Sequence, residues 1–365
     1  MFDQTKEYVI VSATALESSG ALTILRQFIE HASNDSHDFI IFVPSSLDLP
    51  EYKNIVYVKT SPKNWIKRIY WDWFGCGKFL KRESIKVKLV ICLQNSSLNV
   101  PYQQIIYLHQ PIPFSEFSLS LRNLTLNDLK LFLYKKFYAL FIFKFINDQT
   151  IFVVQTEWMK LGVLKKCTGL NIEQVVVLKP DLKLASELIN ENLIHKNTLL
   201  YPATALSYKN HIVILKSLVI LKEKYHINDI KFQVTFDKGM YKTFDRYISK
   251  YSLSDNIEYL GFISYSELQQ RYHRVAVIVF PSYIESYGLP LIESASLGKQ
   301  IVCSDLPYAR DVLENYEGVS FVKYDDESHW AHSIYNALII KSHTQIRPYE
   351  NDTRSSWPHF FDLIQ

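Results

Sequence analysis

The chain has 365 residues, of which 48% are hydrophobic and 21% charged, so it is globular in composition and long enough for two domains. A net charge of +3 is too small by itself to indicate a nucleic-acid-binding protein. No apolar run approaches the roughly 20 residues that a membrane span requires. The N-terminus is acidic where a signal peptide would be basic. The four cysteines lie far apart without metal-ligand spacing, so we expect a cytoplasmic protein with reduced thiols.

Strands alternate with helical stretches through the first half of the chain. A short buried strand is predicted at 8–12 and an amphipathic helix at 21–32, with Ser18, Ser19 and Gly20 in the turn between them. Further strands are predicted at 39–43, 55–58, 87–93, 105–108 and 150–154. This alternation indicates a parallel, doubly wound sheet, so residues 1–180 are predicted to form one α/β domain.

The pattern breaks near residue 179, and a polar, charged stretch runs to about 196, where we place a linker. A second series follows, with a helix at 210–225 and strands at 198–201, 231–235, 257–259, 275–280, 301–303 and 319–322. Residues 181–352 are therefore predicted to form a second α/β domain. A terminal helix at about 353–365 has an apolar face that fits packing back on the first domain. Two such domains make a cleft, and open α/β sheets bind ligands at the carboxyl ends of their strands.

The stretch Phe280–Val302 carries the most informative pattern. It joins the end of a buried strand to a glycine turn and then to a helix from about Leu291, with Glu285 on the loop and Glu293 in the first helical turn. Carboxylates beside the exposed amides of a tight glycine turn suit a polyhydroxyl, phosphate-bearing ligand. The residues alone leave open that Glu285 is a solvated loop residue and that Glu293 only complements the helix dipole.

The segment FPSYIESYGLPLIESASLGKQIVCSDLPYARDV resembles the signature of family 4 glycosyltransferases, the retaining, nucleotide-sugar-dependent enzymes of GT-B fold. Their E-x7-E motif matches Glu285 and Glu293. Other segments match in the family's order along most of the chain: the early SSGA turn, YLHQP, VVQTEWMK, YPATALSYKNH and IEYLGFISYSELQQRYHRVAVIVFPS. The resemblance implies an α/β protein of GT-B fold, in which two Rossmann-like domains face each other and the second binds the donor.

The resemblance also implies roles for individual residues. Glu285 would bind the hydroxyls of the donor sugar and Glu293 those of the ribose, while backbone amides around Gly288 would meet the sugar or its phosphate. Lys209 matches the family's phosphate-binding lysine, and His109 matches the active-site histidine of the first domain. The predicted catalytic residues are thus His109, Lys209 and Glu285, and the predicted donor-binding residues are Ser19, Gly20, Thr204, Ser286, Tyr287, Gly288, Leu289 and Glu293.

The chain departs from the family's pattern at two positions. Many relatives carry an arginine five residues before the phosphate-binding lysine, where this chain has Thr204. The cations that could replace it are Lys238, Arg271 and Arg274. The turn before the first helix has one glycine where the family has two, so a serine there could instead be a plain helix N-cap.

Simpler interpretations exist for the two predicted basic site residues. A lone histidine such as His109 is often a satisfied structural residue, and a lysine at a helix start such as Lys209 is often solvated. The sequence has no Asp-x-Asp, the motif with which other glycosyltransferases hold a divalent ion, so we expect no metal. It also has no G-x-G-x-x-G at the first βα turn, which argues against a nicotinamide or flavin cofactor.

Two segments of the first domain interleave aromatic and basic residues. Lys63–Arg82 contains three tryptophans, and Leu126–Ile146 is apolar nearly all round with scattered lysines. Such helices are either core elements whose lysines reach solvent or interfacial elements that touch acidic lipid. Single-stranded nucleic acid is a third option that nothing else in the chain supports. A lipid-linked acceptor at the membrane surface would explain both segments.

We therefore predict a metal-independent, retaining glycosyltransferase that moves a sugar from a nucleotide-diphosphate sugar to a hydroxyl of a growing glycan. The first domain fits bacterial O-antigen or capsule assembly on an undecaprenyl-linked oligosaccharide. The predicted partners are the donor, the lipid-linked acceptor and the inner face of the cytoplasmic membrane, with no nucleic acid. The alternatives are a hydrolase or epimerase of GT-B fold that acts on the nucleotide sugar, and a non-catalytic sugar-binding scaffold.

Overall fold

The structure is a computed structural model that describes residues 2–17, 19–60, 64–115, 126–181, 195–340, 346–350 and 355–365. The chain divides into two compact units, one formed by Met1–Asp181 with Arg354–Gln365 and the other by Leu182–Thr353. Most of the predicted linker at 179–196 lies outside the described residues, as does Ser18.

The first unit is built around a parallel sheet. Its elements are β1 (Glu7–Ser12), α1 (Ser19–Ala32), β2 (Asp38–Val43), β3 (Ile55–Lys59), α2 (Trp65–Tyr70), α3 (Cys76–Arg82), β4 (Lys86–Cys92), β5 (Gln104–Leu108), α4 (Leu126–Phe143), β6 (Ile151–Val154), α5 (Glu157–Lys166) and β7 (Val175–Val177). The described residues give seven strands in the order β3-β2-β1-β4-β5-β6-β7. The order reverses between β1 and β4, which makes the carboxyl ends of these two strands the switch point of the sheet.

The predicted strands of the first half are present, with two differences at their margins. The sheet gains β7, a three-residue strand that the sequence analysis missed because it lies directly before the predicted linker. Helix α1 begins at Ser19, two residues earlier than predicted, so Ser19 and Gly20 belong to its first turn. The prediction that they form the preceding turn is therefore wrong.

Alternate residues of β1 face opposite cores of the first unit, as the period of a strand requires. Val9 and Val11 pack with Phe28 of α1 in one core. Tyr8 and Ile10 pack in the other, together with residues of α3 and α4. Both faces of the sheet are therefore buried, which is why its strands read as continuous apolar runs.

The first basic-aromatic segment is helical from Trp65 to Arg82, because a π-helical turn at Trp71–Gly75 joins α2 to α3. The extra residue of a π turn shifts the faces that follow it. Gly75 is needed here, since a Cβ at this position would lie 2.8 Å from the indole ring of Trp71. Within this turn Asp72 lies in the interior, while its neighbours Trp73 and Phe74 are partly exposed.

The second unit repeats the same alternation. Its elements are β8 (His195–Tyr201), α6 (His211–Tyr225), β9 (Lys231–Val234), α7 (Lys242–Lys250), β10 (Ile257–Tyr259), α8 (Tyr265–Arg274), β11 (Val275–Phe280), α9 (Leu289–Ala295), β12 (Gln300–Ser304), α10 (Pro307–Leu313), β13 (Val319–Val322) and α11 (Glu327–Tyr335). Among the described residues six parallel strands follow the order β10-β9-β8-β11-β12-β13. The switch point of this sheet lies between β8 and β11.

The last helix, α12 (Trp357–Asp362), packs on the first unit. The ring of Trp357 stacks on Tyr107 at 5.9 Å between centroids, and Phe361 stacks on Phe28 at 5.4 Å. The hydroxyl of Ser355, two residues before this helix, donates to Asp181 at 2.6 Å, and Asp181 is the last residue of the unit's first chain segment. Among the described helices, none is long and apolar enough to cross a membrane.

Candidate functional site

The second unit brings Lys209 and Glu285 into direct contact. Lys209 follows β8 and Glu285 follows β11, and these two strands are parallel neighbours at the switch point. The Lys209 Nζ atom donates to Glu285 Oε1 at 2.5 Å, and each side chain is only 15% exposed. Two residues 76 positions apart thus form one partly buried ion pair at the carboxyl edge of the sheet. The simpler interpretation, in which Lys209 and Glu285 are solvated surface residues, therefore does not hold.

The short turn that carries Lys209 is fixed by neighbouring polar groups. The hydroxyl of Tyr201, buried at the end of β8, donates to the main-chain oxygen of Lys209 at 3.0 Å. The main-chain amide of Tyr283, on the loop that leads to Glu285, donates to Tyr208 O at 2.8 Å. Asn210 follows in the left-handed region at φ 55°, a conformation that asparagine tolerates better than most residues. These bonds tie the two loops of the ion pair together.

The glycine turn after Glu285 leads into α9. Gly288 has φ 80°, and a Cβ there would lie 3.2 Å from Leu291 Cδ1, so both the backbone and the space favour glycine. The helix begins at Leu289, not at about Leu291 as predicted, and Glu293 therefore lies in its second turn. Of the other predicted residues in this turn, Tyr287 is buried at 3% exposure, while Ser286 and Leu289 are half-buried.

Glu293 is buried and is bound by two tyrosines of α8. Tyr272 OH donates to its Oε2 at 2.9 Å, and Tyr265 OH donates to its Oε1 at 3.2 Å. Burial raises the pKa of Glu293, and the two tyrosine hydrogen bonds act in the opposite direction. Because each carboxylate oxygen has two lone pairs, both oxygens still have acceptor capacity. Tyr272 is fully buried whereas Tyr265 is largely exposed.

Thr204, at the position of the family's arginine, is exposed on the loop after β8. Of the three cations that could replace that arginine, Arg274 is the last residue of α8 and directly precedes β11, so it lies at the amino edge of the sheet. Arg271, one turn earlier, pairs with Glu258 at 3.5 Å. Lys238 follows β9 and lies at the same carboxyl edge as Lys209, which makes it the remaining candidate of the three.

In the first unit, His109 follows β5 and contacts the loop after β4. Its Nε2 lies 2.9 Å from Asn95 Nδ2 and 3.1 Å from Leu93 O. The Asn95 Oδ1 atom accepts from the amides of His109 and Gln110 at 2.6 and 2.9 Å. Burial lowers the pKa of His109 to about 4, so the imidazole is neutral at pH 7.

The predicted pair at the start of α1 is less informative. Gly20 is exposed, and a Cβ placed on it would meet nothing within 4 Å. Its φ does not require glycine either, so nothing in the described residues of this unit explains a glycine here. The side chain of Ser19 lies outside the described part of the chain, and its role stays a prediction.

The sequence analysis missed a buried polar cluster beside His109, which we call the Asp72 cluster and which consists of Thr14, Arg68, Asp72, Gln94 and Ser96. Asp72 accepts from Gln94 Nε2 at 2.9 Å and from Ser96 Oγ at 2.8 Å. Thr14 Oγ1 donates to Gln94 Oε1 at 3.0 Å. Arg68 Nη2 donates to the main-chain oxygen of Gln94. Burial raises the pKa of Asp72 to about 6.

A signal for this cluster does exist in the sequence. The polar run QNSS directly follows the buried strand at 87–93, so it stands at the carboxyl end of a strand, where ligand loops are expected. The two tyrosines on Glu293 carry a weaker signal, because tyrosines are frequent in this chain. Among the described residues no group of three or more His, Cys, Asp or Glu side chains has the geometry of a metal site.

Comparisons with known proteins agree with this architecture. The family "Glycosyl transferases group 1" matches residues 186–350, which confirms the predicted family resemblance for the second unit. The O-antigen chain mannosyltransferase RfbU of Salmonella typhimurium is 23% identical over 233 residues. That match covers 62% of this chain and 63% of the relative, so the similarity spans less than two thirds of the relative's length.

Solved structures show a likeness in fold. WaaG, a glycosyltransferase involved in lipopolysaccharide biosynthesis, aligns over 98% of this chain and 99% of its own at 12% identity, with a TM-score of 0.68. Anabaena HepE in complex with UDP-glucose aligns over 93% of this chain and 92% of its own at 11% identity, with a TM-score of 0.64. Together with the two parallel sheets, this likeness confirms the predicted GT-B fold class.

Proposed function

We propose that this chain, which carries a glycosyl transferases group 1 domain at residues 186–350, is a retaining glycosyltransferase of O-antigen or related surface-polysaccharide assembly. It moves a sugar from a nucleotide-diphosphate sugar to a hydroxyl of a lipid-linked glycan. The observation that carries the proposal is the ion pair of Lys209 and Glu285 at the switch point of the second sheet. Sheets of this kind bind nucleotides at that point.

In this proposal Lys209 and Glu285 divide the donor between them. Lys209 holds the diphosphate and stabilises the charge that grows on it as the bond to the sugar breaks. Glu285 accepts hydrogen bonds from the sugar's hydroxyls. Because Glu285 is bound to Lys209, it is placed to hold the sugar rather than to attack it. The departing phosphate then takes the proton of the attacking hydroxyl on the same face, and this gives retention.

Glu293 and the glycine turn complete the donor side of the proposal. Each Glu293 oxygen accepts one tyrosine hydroxyl and retains capacity for one ribose hydroxyl. Gly288 directly precedes α9 and Leu289 is its first residue. Main-chain N–H groups at the start of a helix have no partner within the helix. They are available to the sugar or its phosphate. Lys238 supplies the second cation in place of the missing arginine.

His109 takes part as a neutral group on the side of the first unit. Since burial lowers its pKa to about 4, it offers a hydrogen bond to a hydroxyl and not a positive charge to a phosphate. The bonds to Leu93 and Asn95 both involve Nε2, so Nδ1 makes no hydrogen bond to the described residues. That atom is the one we assign to a sugar hydroxyl.

The acceptor side of the proposal rests on exposed apolar side chains of α2, the π turn and α4. We call them the apolar surface: Trp65, Ile66, Tyr70, Phe74, Leu129, Phe132, Leu133, Phe137 and Leu140. At 100° per residue the five on α4 fall within about 140° of the helix circumference, so they form one stripe. The two segments touch, since the rings of Trp73 and Phe145 lie 5.3 Å apart.

Exposed lysines border the apolar surface, and the combination fits an anionic bilayer. Lys67, Lys78, Lys130 and Lys136 are exposed on the same helices. We therefore propose a peripheral position on the inner face of the cytoplasmic membrane. The protein should be retained by phosphatidylglycerol vesicles at low salt, and replacing Trp65 and Phe137 by serine should release it. Leu161→Ser, at an exposed leucine of α5, is the matched control.

The activity is tested with a panel of nucleotide sugars. Because the relative RfbU is named a mannosyltransferase, mannose is the first sugar to include, on UDP, GDP and dTDP. A bound donor should raise the melting temperature by mass action. The donor that does so is then incubated with membrane lipid extract and EDTA. Transfer with retained anomeric configuration, read by NMR of the product, supports the proposal. Release of free sugar alone would favour the hydrolase.

A further inference from the structure

One cation of the first unit forms no direct ion pair with the residues that the structure describes, although the Asp72 carboxylate attracts it through space. Arg68, on α2, is half-buried. Its Nη2 atom donates to Gln94 O and, at 3.4 Å, to Tyr138 OH. Its Nε and Nη1 atoms carry three further N–H groups, which make no hydrogen bond to the described part of the chain. A guanidinium withdrawn from water with unused donors is unfavourable unless an anion completes it.

Asp72 lies one turn further along the same helical segment and attracts Arg68 through space, yet the two side chains form no direct ion pair. Both of its oxygens are occupied by neutral donors, Gln94 Nε2 and Ser96 Oγ. The carboxylate thus holds Gln94 in place, and the main-chain oxygen of Gln94 in turn holds the guanidinium. The Asp72 cluster therefore orients Arg68 and offsets part of its charge through space, while the unused N–H groups of the guanidinium stay available to an anion.

Arg68 stands between two features that the proposed function already uses. On one side is His109, which contacts Leu93 and Asn95, the residues that flank the Gln94 carbonyl. On the other side is the apolar surface, since Trp65 and Ile66 lie on the same helix, three and two residues before Arg68. The cation therefore marks the boundary between an apolar region and a polar one.

We propose that Arg68 binds the phosphate that joins the acceptor's lipid to its glycan. The proposal rests on the proposed function and adds to it the residue that recognises the acceptor's charge. A guanidinium matches a phosphate with two parallel hydrogen bonds, so it gives direction as well as attraction. The hydrocarbon lies on the apolar surface, and the glycan extends from the phosphate toward His109. Asp72 and Gln94 act as positioning residues.

The test uses geranyl diphosphate as a short lipid diphosphate, with geraniol and inorganic diphosphate as its two halves. Binding is measured by calorimetry on the full chain carrying Lys209→Ala, so that the donor's phosphate site does not contribute. Geranyl diphosphate should bind more tightly than either half. Arg68→Gln should weaken its affinity by about tenfold to a hundredfold, the range expected for hydrogen bonds to a charged group.

Matched variants separate recognition from folding. Arg68→Lys keeps the charge but loses the planar fork, so it should recover part of the affinity. Arg82→Gln, at an exposed arginine of α3, should change nothing. Tyr138→Phe removes only the hydroxyl that accepts from Arg68, and should weaken binding by about twofold to tenfold. The affinity of each variant is measured at the same number of degrees below that variant's own melting temperature.

The proposal is overturned if Arg68→Gln binds geranyl diphosphate as tightly as the parent, or if geraniol or inorganic diphosphate binds as well as geranyl diphosphate. It is also overturned if Arg68→Gln loses only its retention by phosphatidylglycerol vesicles, because the phosphate would then belong to a membrane headgroup. Nucleotide binding to the chain with Lys209 intact is measured separately. If nucleotides bind and Arg68 has no effect, the inference fails while the proposed function stands.

Discussion

The carboxyl edges of the two sheets are built from the same topology but carry different charge arrangements. In the second unit, opposite charges meet directly in the ion pair of Lys209 and Glu285. In the first unit, a neutral His109 stands beside Arg68, which Asp72 attracts without a direct ion pair, and exposed apolar side chains follow. One edge thus holds its two charges in direct contact, and the other holds a cation that still has unused N–H donors.

The difference suggests what each edge requires of its ligand. A lysine and a carboxylate side by side suit a ligand that brings a phosphate and neighbouring hydroxyls together, as a nucleotide sugar does. An arginine with unused N–H donors at the border of an apolar surface suits a ligand that is itself an anion attached to a hydrocarbon. Variants that alter one edge without altering the other test this comparison.

The largest effect is expected at the ion pair of the second unit. Lys209→Ala should lower kcat by about a hundredfold to a thousandfold, since it removes a group that stabilises developing charge. Glu285→Ala should lower it by a similar factor. Because the two side chains act together, the double variant should lose little more than either single variant. Initial rates of sugar transfer from the donor found in the panel give the measurement.

The second unit offers a matched pair as the control. Lys216 and Glu327 also form an ion pair, at 3.5 Å, but their side chains are more exposed and neither lies on the loops after β8 and β11. Lys216→Ala and Glu327→Ala should leave kcat within about twofold, because exposed pairs contribute little. Equal losses at the two pairs, or fully additive losses at Lys209 and Glu285, would contradict the division of roles.

A smaller effect is expected in the stability of the first unit. Burial raises the pKa of Asp72 to about 6, while an unfolded aspartate titrates near pH 3.9. Between these values the folded state binds more protons than the unfolded state, so the free energy of unfolding falls as pH rises. The loss is about 2 to 3 kcal/mol from about pH 4 to pH 6, and it is complete above that range.

Asp72→Asn removes this titration, so the test is the difference in the free energy of unfolding between parent and variant, measured by urea at several pH values. Between about pH 4 and pH 6 the parent should lose stability relative to Asp72→Asn as the pH rises. Asp305 is the control of opposite sign, because its hydrogen bond from Arg310 lowers its pKa. A pH-independent difference for Asp72→Asn would mean that the carboxyl group is not desolvated as its burial indicates.

The fold could be predicted from the sequence because local and tertiary preferences agree. Strands buried on both faces read as short apolar runs between turn residues, and most of them appear at or within two residues of the predicted positions. The misses have physical reasons. β7 was missed because it lies directly before the predicted linker, and α1 begins early because Ser19 and Gly20 enter its first turn.

The contact between Lys209 and Glu285 could be predicted because both residues lie in recognisable motifs. The sequence placed Lys209 and Glu285 on loops at the same edge, and the structure joins them. The Asp72 cluster was harder to predict. Arg68 and Gln94 meet through a main-chain oxygen, which leaves no side-chain pattern in the sequence. The polar run QNSS after a buried strand is a signal, but it does not indicate that Asp72, 22 positions before Gln94, packs against it.

The smallest effects are expected at the two tyrosines that bind Glu293. Tyr272→Phe removes a buried donor at 2.9 Å and should weaken nucleotide-sugar binding by about tenfold at pH 7. Tyr265→Phe removes a largely exposed donor at 3.2 Å and should weaken it by about threefold. Both hydroxyls lower the pKa of Glu293 against the effect of burial, so either variant raises that pKa further.

The pH dependence distinguishes this role from a merely structural one. As the pH falls, Glu293 becomes protonated and loses acceptor capacity for the ribose hydroxyls, so donor affinity should fall. In Tyr272→Phe this fall should begin at a higher pH than in the parent, since the carboxylate has lost its closer tyrosine donor. Tyr316→Phe is the matched control, because this buried hydroxyl donates to Lys299 O and does not touch Glu293. If donor affinity depends on pH in the same way in Tyr272→Phe and Tyr316→Phe, Glu293 does not bind the donor. The proposed donor site would then rest on the ion pair of Lys209 and Glu285.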